Sequence, residues 1–319
     1  MFREQTYAPF YGDGMTLFAV LFSVFAGVCM GIQSPTNTEL SRHIGNFQAT
    51  SVSFGGGVVI LFFAMLFIGE GSLAGMADAS WWQFIGGLYG VCMVLVITFA
   101  VPLLGIALTI TFIMLGQMFI GMVIDGFGLL LVEQSEVSPA RIAGCIIVTA
   151  GIFLVCRGRL QNGNKVRMDF RAMMFSVLSF AAGIGGGIQA PTNAALASHV
   201  GTVEASFISF CGGFLLIFTV TLLTSRGKFI RLKGSGVRPW MMTGGLYGSI
   251  AVLAGIIATP VTGVALAMAC TLLGQLACGI AVDSTGILRS EKMKMNGWRY
   301  AGVIVILIGI TVFTYGRYV

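Results

Sequence analysis

Residues 31–45 of this chain read GIQSPTNTELSRHIG, and residues 187–201 read GIQAPTNAALASHVG. The correspondence continues well beyond these two stretches. Ser53-Phe54 is answered by Ser209-Phe210 and Gly56-Gly57 by Gly212-Gly213. Gly86-Gly87-Leu88-Tyr89-Gly90 is answered by Gly244-Gly245-Leu246-Tyr247-Gly248, and Pro102 by Pro260. Leu115-Gly116-Gln117 pairs with Leu273-Gly274-Gln275, Asp125 with Asp283, Arg141 with Arg299, and Gly158-Arg159 with Gly316-Arg317. A register held at 156 to 158 residues across nearly the whole chain marks a duplication. The fold must therefore be one that two copies of a single unit can build.

Each copy is a series of apolar runs. Of the 319 residues, 56% are hydrophobic and only 9% charged, against roughly 25% charged in a soluble domain. Too few charges remain to cover a water-facing surface, so lipid is the expected solvent. The 45 glycines suit close helix packing in a bilayer. About 20 apolar residues cross the hydrocarbon core as a helix. Runs of that kind fall at 15–33, 48–68, 82–101, 103–124, 139–156, 171–189, 204–224, 239–258, 261–282 and 298–316. Pro102 and Pro260 are expected to mark tight turns that split two longer runs. The first run lacks a basic lead and a small-residue cleavage site, so it reads as a span and not as a signal peptide.

The expected fold is thus an all-α membrane protein of ten transmembrane helices. Residues 1–157 form a first five-helix repeat, 158–170 a basic connector, and 171–319 a second repeat. Five is odd, so two directly joined copies must lie in opposite orientations, the inverted-repeat plan of many secondary transporters. With the side reached after the first span taken as inner, fifteen of the 18 Lys and Arg fall in inner loops. The positive-inside rule then places both termini outside the cytoplasm. The pI of 9.1 follows from these loop charges, and no nucleic-acid partner is expected.

The candidate site residues come from the matched polar positions. Gln33 and Asn37, with Gln189 and Asn193, belong to the repeated GIQxPTN element. Pro35 and Pro191 cannot donate a backbone hydrogen bond, so the helix is expected to break there. Exposed carbonyls beside amides would then line a polar site; the alternative is a cap and turn in which the amides satisfy each other. Gln117 and Gln275 sit mid-span, either lining a cavity or bonding helix to helix. Tyr89 and Tyr247 lie too deep for an interfacial belt and present a hydroxyl to a cavity in one reading. Asp125 and Asp283 end apolar runs and read first as interfacial anchors, second as coupling sites for a proton or cation. His43 and His199 follow the polar turn and titrate near neutrality, a weaker coupling candidate. The seven cysteines lie in or beside apolar runs with no metal-ligand spacing and read as small buried hydrophobes. No catalytic set, metal site or cofactor is expected, and no carboxylate lies in the middle of a span. Neutral or zwitterionic cargo therefore ranks above permanent cations.

The paired five-span units with GIQxPTN, GGLYG and LGQ elements resemble the drug/metabolite transporter superfamily, specifically its YdcZ-like branch, over about residues 15–317. The resemblance implies a bacterial inner-membrane protein with a central cavity formed by the first four spans of each half. Gln33, Asn37, Tyr89, Gln117, Gln189, Asn193, Tyr247 and Gln275 would line it. The expected function is secondary transport of a small polar metabolite or drug-like molecule by alternating access. A lipid flippase or scramblase is the alternative, ahead of a channel or an intramembrane enzyme. The partners expected are the small-molecule substrate and the lipid bilayer. A monomer suffices because each chain holds both halves, and a homodimer is optional.

Overall fold

A computed structural model describes residues 13–134, 138–160, 170–225, 236–285 and 297–316. Those residues are helical, with short connections and no strand among them. The α-helices are α1 (Asp13–Ile44), α2 (Asn46–Ile68), α3 (Gly86–Phe127), α4 (Pro139–Leu160), α5 (Phe170–Val200), α6 (Thr202–Thr224), α7 (Gly244–Thr262), α8 (Val264–Thr285) and α9 (Gly297–Tyr315). Seven stretches are long and apolar enough to cross a membrane by length and composition: Gly14–Ile44, Asn46–Ile68, Trp81–Ala100, Thr109–Phe127, Phe170–Val200, Thr202–Thr224 and Pro239–Thr262. Pro139–Leu154, Val264–Gly279 and Tyr300–Phe313 are shorter apolar helices.

α3 carries Thr109–Phe127 and most of Trp81–Ala100, and the chain reverses direction between them. Met93 and Gln117 are 24 residues apart, which a straight helix would convert into about 36 Å. Their side chains nevertheless meet at 3.9 Å. The second repeat makes the equivalent reversal between α7 and α8 at Gly263, φ +77°. The turn thus falls three residues after Pro260, which lies inside α7. The sequence reading placed it at the proline itself.

A larger correction concerns the GIQxPTN elements. The helices do not break at Pro35 or Pro191; α1 continues to Ile44 and α5 to Val200 with the prolines inside them. A proline removes one backbone bond and crowds the carbonyl four residues back. In both helices that carbonyl belongs to a glycine, Gly31 or Gly187. Hydroxyls also stitch the neighbouring turns: Thr36 Oγ1 donates to the Ile32 carbonyl at 2.8 Å and Thr38 Oγ1 to Ser34 at 2.9 Å. Serine and threonine side chains commonly rescue membrane helices in this way. The breaks come instead at Gly45 and Gly201, with φ +94° and +102° and extended ψ of 161° and 159°. That region of backbone space is essentially reserved for glycine.

Residues on either side of the connector interleave. α1 packs on α7 and α8, and both arms of α3 pack on α5. α2 and α6 cross antiparallel: Gln48 Nε2 donates to Ser225 Oγ (3.0 Å), Ser51 Oγ meets Thr221 Oγ1 (2.7 Å), and the Phe54 and Phe210 rings meet tilted at 38° with centroids 5.2 Å apart. Small residues permit these approaches. A Cβ on Gly57 would strike the Phe210 ring, and one on its repeat mate Gly213 would strike the Phe54 ring at 2.5 Å. Away from these seams, α4 and α9 pack together through Gly144, Gly151 and Gly309. Large apolar side chains such as Phe67, Leu178 and Leu223 remain exposed, as lipid-facing positions would be.

Candidate functional site

Four of the eight candidate residues gather along one face of α5. Gln189 and Asn193 are four residues apart, and so are Gly90 and Gly86 on α3. Positions at that spacing share a helix face. With the two helices antiparallel, Gln189 meets Gly90 and Asn193 meets Gly86: a Cβ on Gly90 would lie 2.9 Å from Gln189 Nε2, and one on Gly86 would collide with the Asn193 carboxamide oxygen. The Tyr89 ring lies against Gly185 of α5, 3.3 Å from where a Cβ would stand. The returning arm of α3 brings Gln117 beside Gly186, its Nε2 facing Met93 Sδ at 3.9 Å.

The other repeat builds a counterpart on α1. Gln33 lies against Gly248, and Asn37 against Gly244 beside Ser53. The Gln275 backbone runs alongside Gly27 and Gly31, and Tyr247 sits in the same GGLYG turn of α7. The eight residues therefore divide between two helix seams, one along α5 and one along α1. Each group takes its GIQxPTN amides from one repeat and its GGLYG segment and LGQ glutamine from the other.

The polar groups in these clusters are poorly satisfied. Asn193 is 1% exposed, and neither its Oδ1 nor its Nδ2 has a hydrogen-bond partner; Asn37 Oδ1 and Ser209 Oγ are in the same position. The amides thus do not satisfy each other, as the cap-and-turn reading required. An unmatched buried polar group costs about 1–3 kcal/mol. Gln117, also buried, turns its amide to a thioether, a weak acceptor.

Asp125 lies elsewhere and away from water, contrary to the expectation of an exposed anchor. It is 1% exposed and ion-paired to Arg141 Nη2 at 3.1 Å. The backbone N–H groups of Val264 and Ala265 donate to its two oxygens at 2.7 and 3.0 Å. A first-repeat carboxylate thus caps the start of α8, where the helix presents unpaired donors and a positive dipole end. The Arg141 guanidinium also stacks over the Phe313 ring at 4.9 Å. The Asp283 side chain lies outside those described. His199 is exposed and His43 only partly covered.

Two carboxylates escaped the sequence reading. Glu39, two residues past the first GIQxPTN element, is 5% exposed and sits 3.1 Å from Arg42 Nη1 and 3.6 Å from His43 Nε2. Glu204 is also buried and accepts the Gly71 N–H at 3.0 Å, tying the loop after α2 to the start of α6. Its repeat mate, Gln48, ties α2 to the end of α6 with the opposite sense, donating from Nε2 to Ser225 Oγ. The 156-residue offset pairs Glu204 with Gln48, but only identical residues were matched, so the pair went unnoticed.

A family model described as "Putative inner membrane exporter, YdcZ" matches the chain twice, over residues 18–154 and 174–312. A solved crystal structure superposes with a TM-score of 0.70 at 16% identity, covering 96% of this chain and 99% of the other. That likeness speaks to the fold. No curated protein matches the sequence.

Proposed function

The chain belongs to the YdcZ family of inner membrane exporters, and from that premise we propose that this multi-pass membrane transport protein moves a small polar metabolite or drug-like molecule by alternating access. Its ten apolar stretches act as two inverted five-helix units, residues 1–157 and 171–319, joined by the basic connector 158–170. One chain suffices for the cycle, with a homodimer optional. Both termini lie outside the cytoplasm, and the proposed direction is outward, as the family description states.

The observation that carries this reading is the pair of mirrored amide clusters. α1 and α2 are joined at Gly45, α5 and α6 at Gly201, and α2 crosses α6 antiparallel, so α1 and α5 run in opposite directions. Gln33 and Asn37 lie toward the end of α1, and Gln189 and Asn193 toward the end of α5. The clusters therefore lie toward opposite membrane faces. Each is a glycine-on-amide seam between the two repeats. Rocking one repeat against the other opens one seam and closes the other, and a freed amide with no partner of its own is ready to meet a polar solute.

The test is a thermal-shift screen of the purified protein against metabolites and drug-like compounds, repeated on Gln117→Ala and Gln275→Ala. A ligand at a hundredfold excess over its dissociation constant adds about 2.7 kcal/mol of stability. The expected hit is lost in both variants and is transported into liposomes. A hit retained in both places the site away from the glutamines, and no hit from a broad panel favours a lipid cargo. Reporter fusions at the two ends check the orientation; cytoplasmic signals from both overturn it.

A further inference from the structure

Between α2 and α3 the chain runs over the end of α5 and is fixed there by Glu204, Val200 and His199. Gly71 N–H donates to Glu204 Oε1 and Ser72 N–H to the Val200 carbonyl, each at 3.0 Å, and Gly75 presses on the His199 carbonyl. Apart from these ties the segment has little to hold it. Residues 71–78 are exposed except for Gly75, and the turn Leu73–Ala77 buries no side chain. Segments with few buried contacts are the ones that open at low cost. The far end is anchored: Gln83, 2% exposed, accepts the Ser80 N–H at 3.1 Å, and Gly86 follows against Asn193.

Beneath this segment lies the way to the α5 cluster. Asn193, Leu196 and Val200 succeed one another at spacings of three and four residues, on one helix face. Leu196 and Val200 are 0% exposed and share an apolar cluster with Ala79 and Phe84. A solute reaching Asn193 along that face has to displace the segment. The other repeat follows the same plan. Leu40, the repeat mate of Leu196, is likewise 0% exposed, in a cluster with Val237 and Trp240 from the segment before α7. Gln48, the mate of Glu204, reaches Ser225 just past α6, where that segment begins. The tie recurs with different chemistry, backbone to carboxylate in one repeat and amide to hydroxyl in the other. What the two repeats share is the tie and not the residue type.

We propose that residues 69–80 form a lid over the end of α5 and that Glu204 is its latch, a positioning residue that keeps the α5 amide cluster closed. Taking that cluster as a transport site rests on the reading above; the closure itself does not. Opening the lid breaks the Gly71 and Ser72 bonds and frees the Leu196 face, while Ser80 and Gln83 stay in place as the hinge. A hydrogen bond to a charged acceptor is worth about tenfold or more in such an equilibrium, so Glu204 sets how often the lid opens.

The test is the rate at which a water-soluble, cationic methanethiosulfonate labels Leu196→Cys and Leu40→Cys in the full-length protein in detergent, each located by peptide mass. Both positions are expected to label slowly in the parent background. Adding Glu204→Ala is expected to speed labelling at position 196 about tenfold or more and to leave position 40 unchanged. Gly75→Ala, which drives a methyl group into the His199 carbonyl, lifts the lid by another route and is expected to do the same. Rapid labelling at position 196 without either change, no acceleration there in either variant, or equal acceleration at both positions overturns the lid. Hydrogen exchange reads the latch without an added cysteine. Glu204→Ala is expected to speed exchange throughout residues 69–80, and a change confined to Gly71 overturns the proposal. Neither measurement needs a solute, so their failure and that of the thermal-shift screen are told apart.

Discussion

Asn193 sits with both ends of its carboxamide shut away from water and from any partner, pressed on the Cα of Gly86. Packing alone would favour a side chain of similar size without the amide. Asn193→Leu is therefore expected to unfold at the same temperature or higher, by up to about 1–3 kcal/mol of relieved desolvation, while transport in liposomes is lost. A clear loss of stability would show that the amide has a structural partner. Asp125 behaves oppositely. Asp125→Asn removes the carboxylate paired with the buried Arg141 and should cost about 3–5 kcal/mol in thermal unfolding, whereas Asp125→Leu with Arg141→Met should recover most of that loss. The sequence marked both residues as notable because both recur in the repeat. It misjudged Asp125 because its partners, Arg141 and the first amides of α8, are contributed by other elements. Nothing local to the end of an apolar run indicates that a third helix begins there.

At the scale of elements, the boundary between α5 and α6 rests on Gly201, and that between α1 and α2 on Gly45. Either residue replaced by alanine must hold a backbone conformation costing about 1–3 kcal/mol. Each methyl group also meets the side chain three residues on, Gln48 or Glu204, and at Gly201 it meets the Gly71 backbone at 2.8 Å as well. Both variants are expected to lower the unfolding temperature, Gly201→Ala more than Gly45→Ala. Equal stability to the parent would mean the turns relax. The prolines, stronger breakers on paper, do not end these helices: glycine precedes each by four residues, and in α1 hydroxyls also stitch the adjacent turns. At 32 and 31 residues, α1 and α5 rise about 46–48 Å, well past the ~30 Å hydrocarbon core. That overshoot carries the GIQxPTN amides away from the middle of the helix and toward its end.

At the scale of the whole molecule, the repeats are interleaved and not set side by side. α1 of the first repeat lies on α7 and α8 of the second, and α5 of the second on both arms of α3. Each GGLYG segment has its amide partners across the seam. Residues 1–160 and 161–319 produced as separate chains are therefore expected to copurify when co-expressed, and to be unstable when expressed alone. A half that is stable and monodisperse by itself would contradict the interleaving. Gly86→Ala belongs to this scale too: its methyl group collides with Asn193 across the seam, and overpacking of this kind costs about 1–3 kcal/mol in thermal unfolding.

The sequence alone determined the apolar solvent, the duplication and the apolar helical stretches, because each follows from properties summed along the chain: apolar length, charge placement and a constant register. It also nominated the amides and tyrosines of the two clusters, because the duplication kept them. Only the tertiary structure decided that these residues fall into two groups, that each group joins amides of one repeat to glycines of the other, and that Asp125 caps a helix of the opposite repeat. Those are contacts between residues far apart in the sequence, such as Asn193 with Gly86 or Asp125 with Val264. Which side chain meets which glycine depends on where two helices cross, and a crossing leaves no periodic mark in either sequence that forms it.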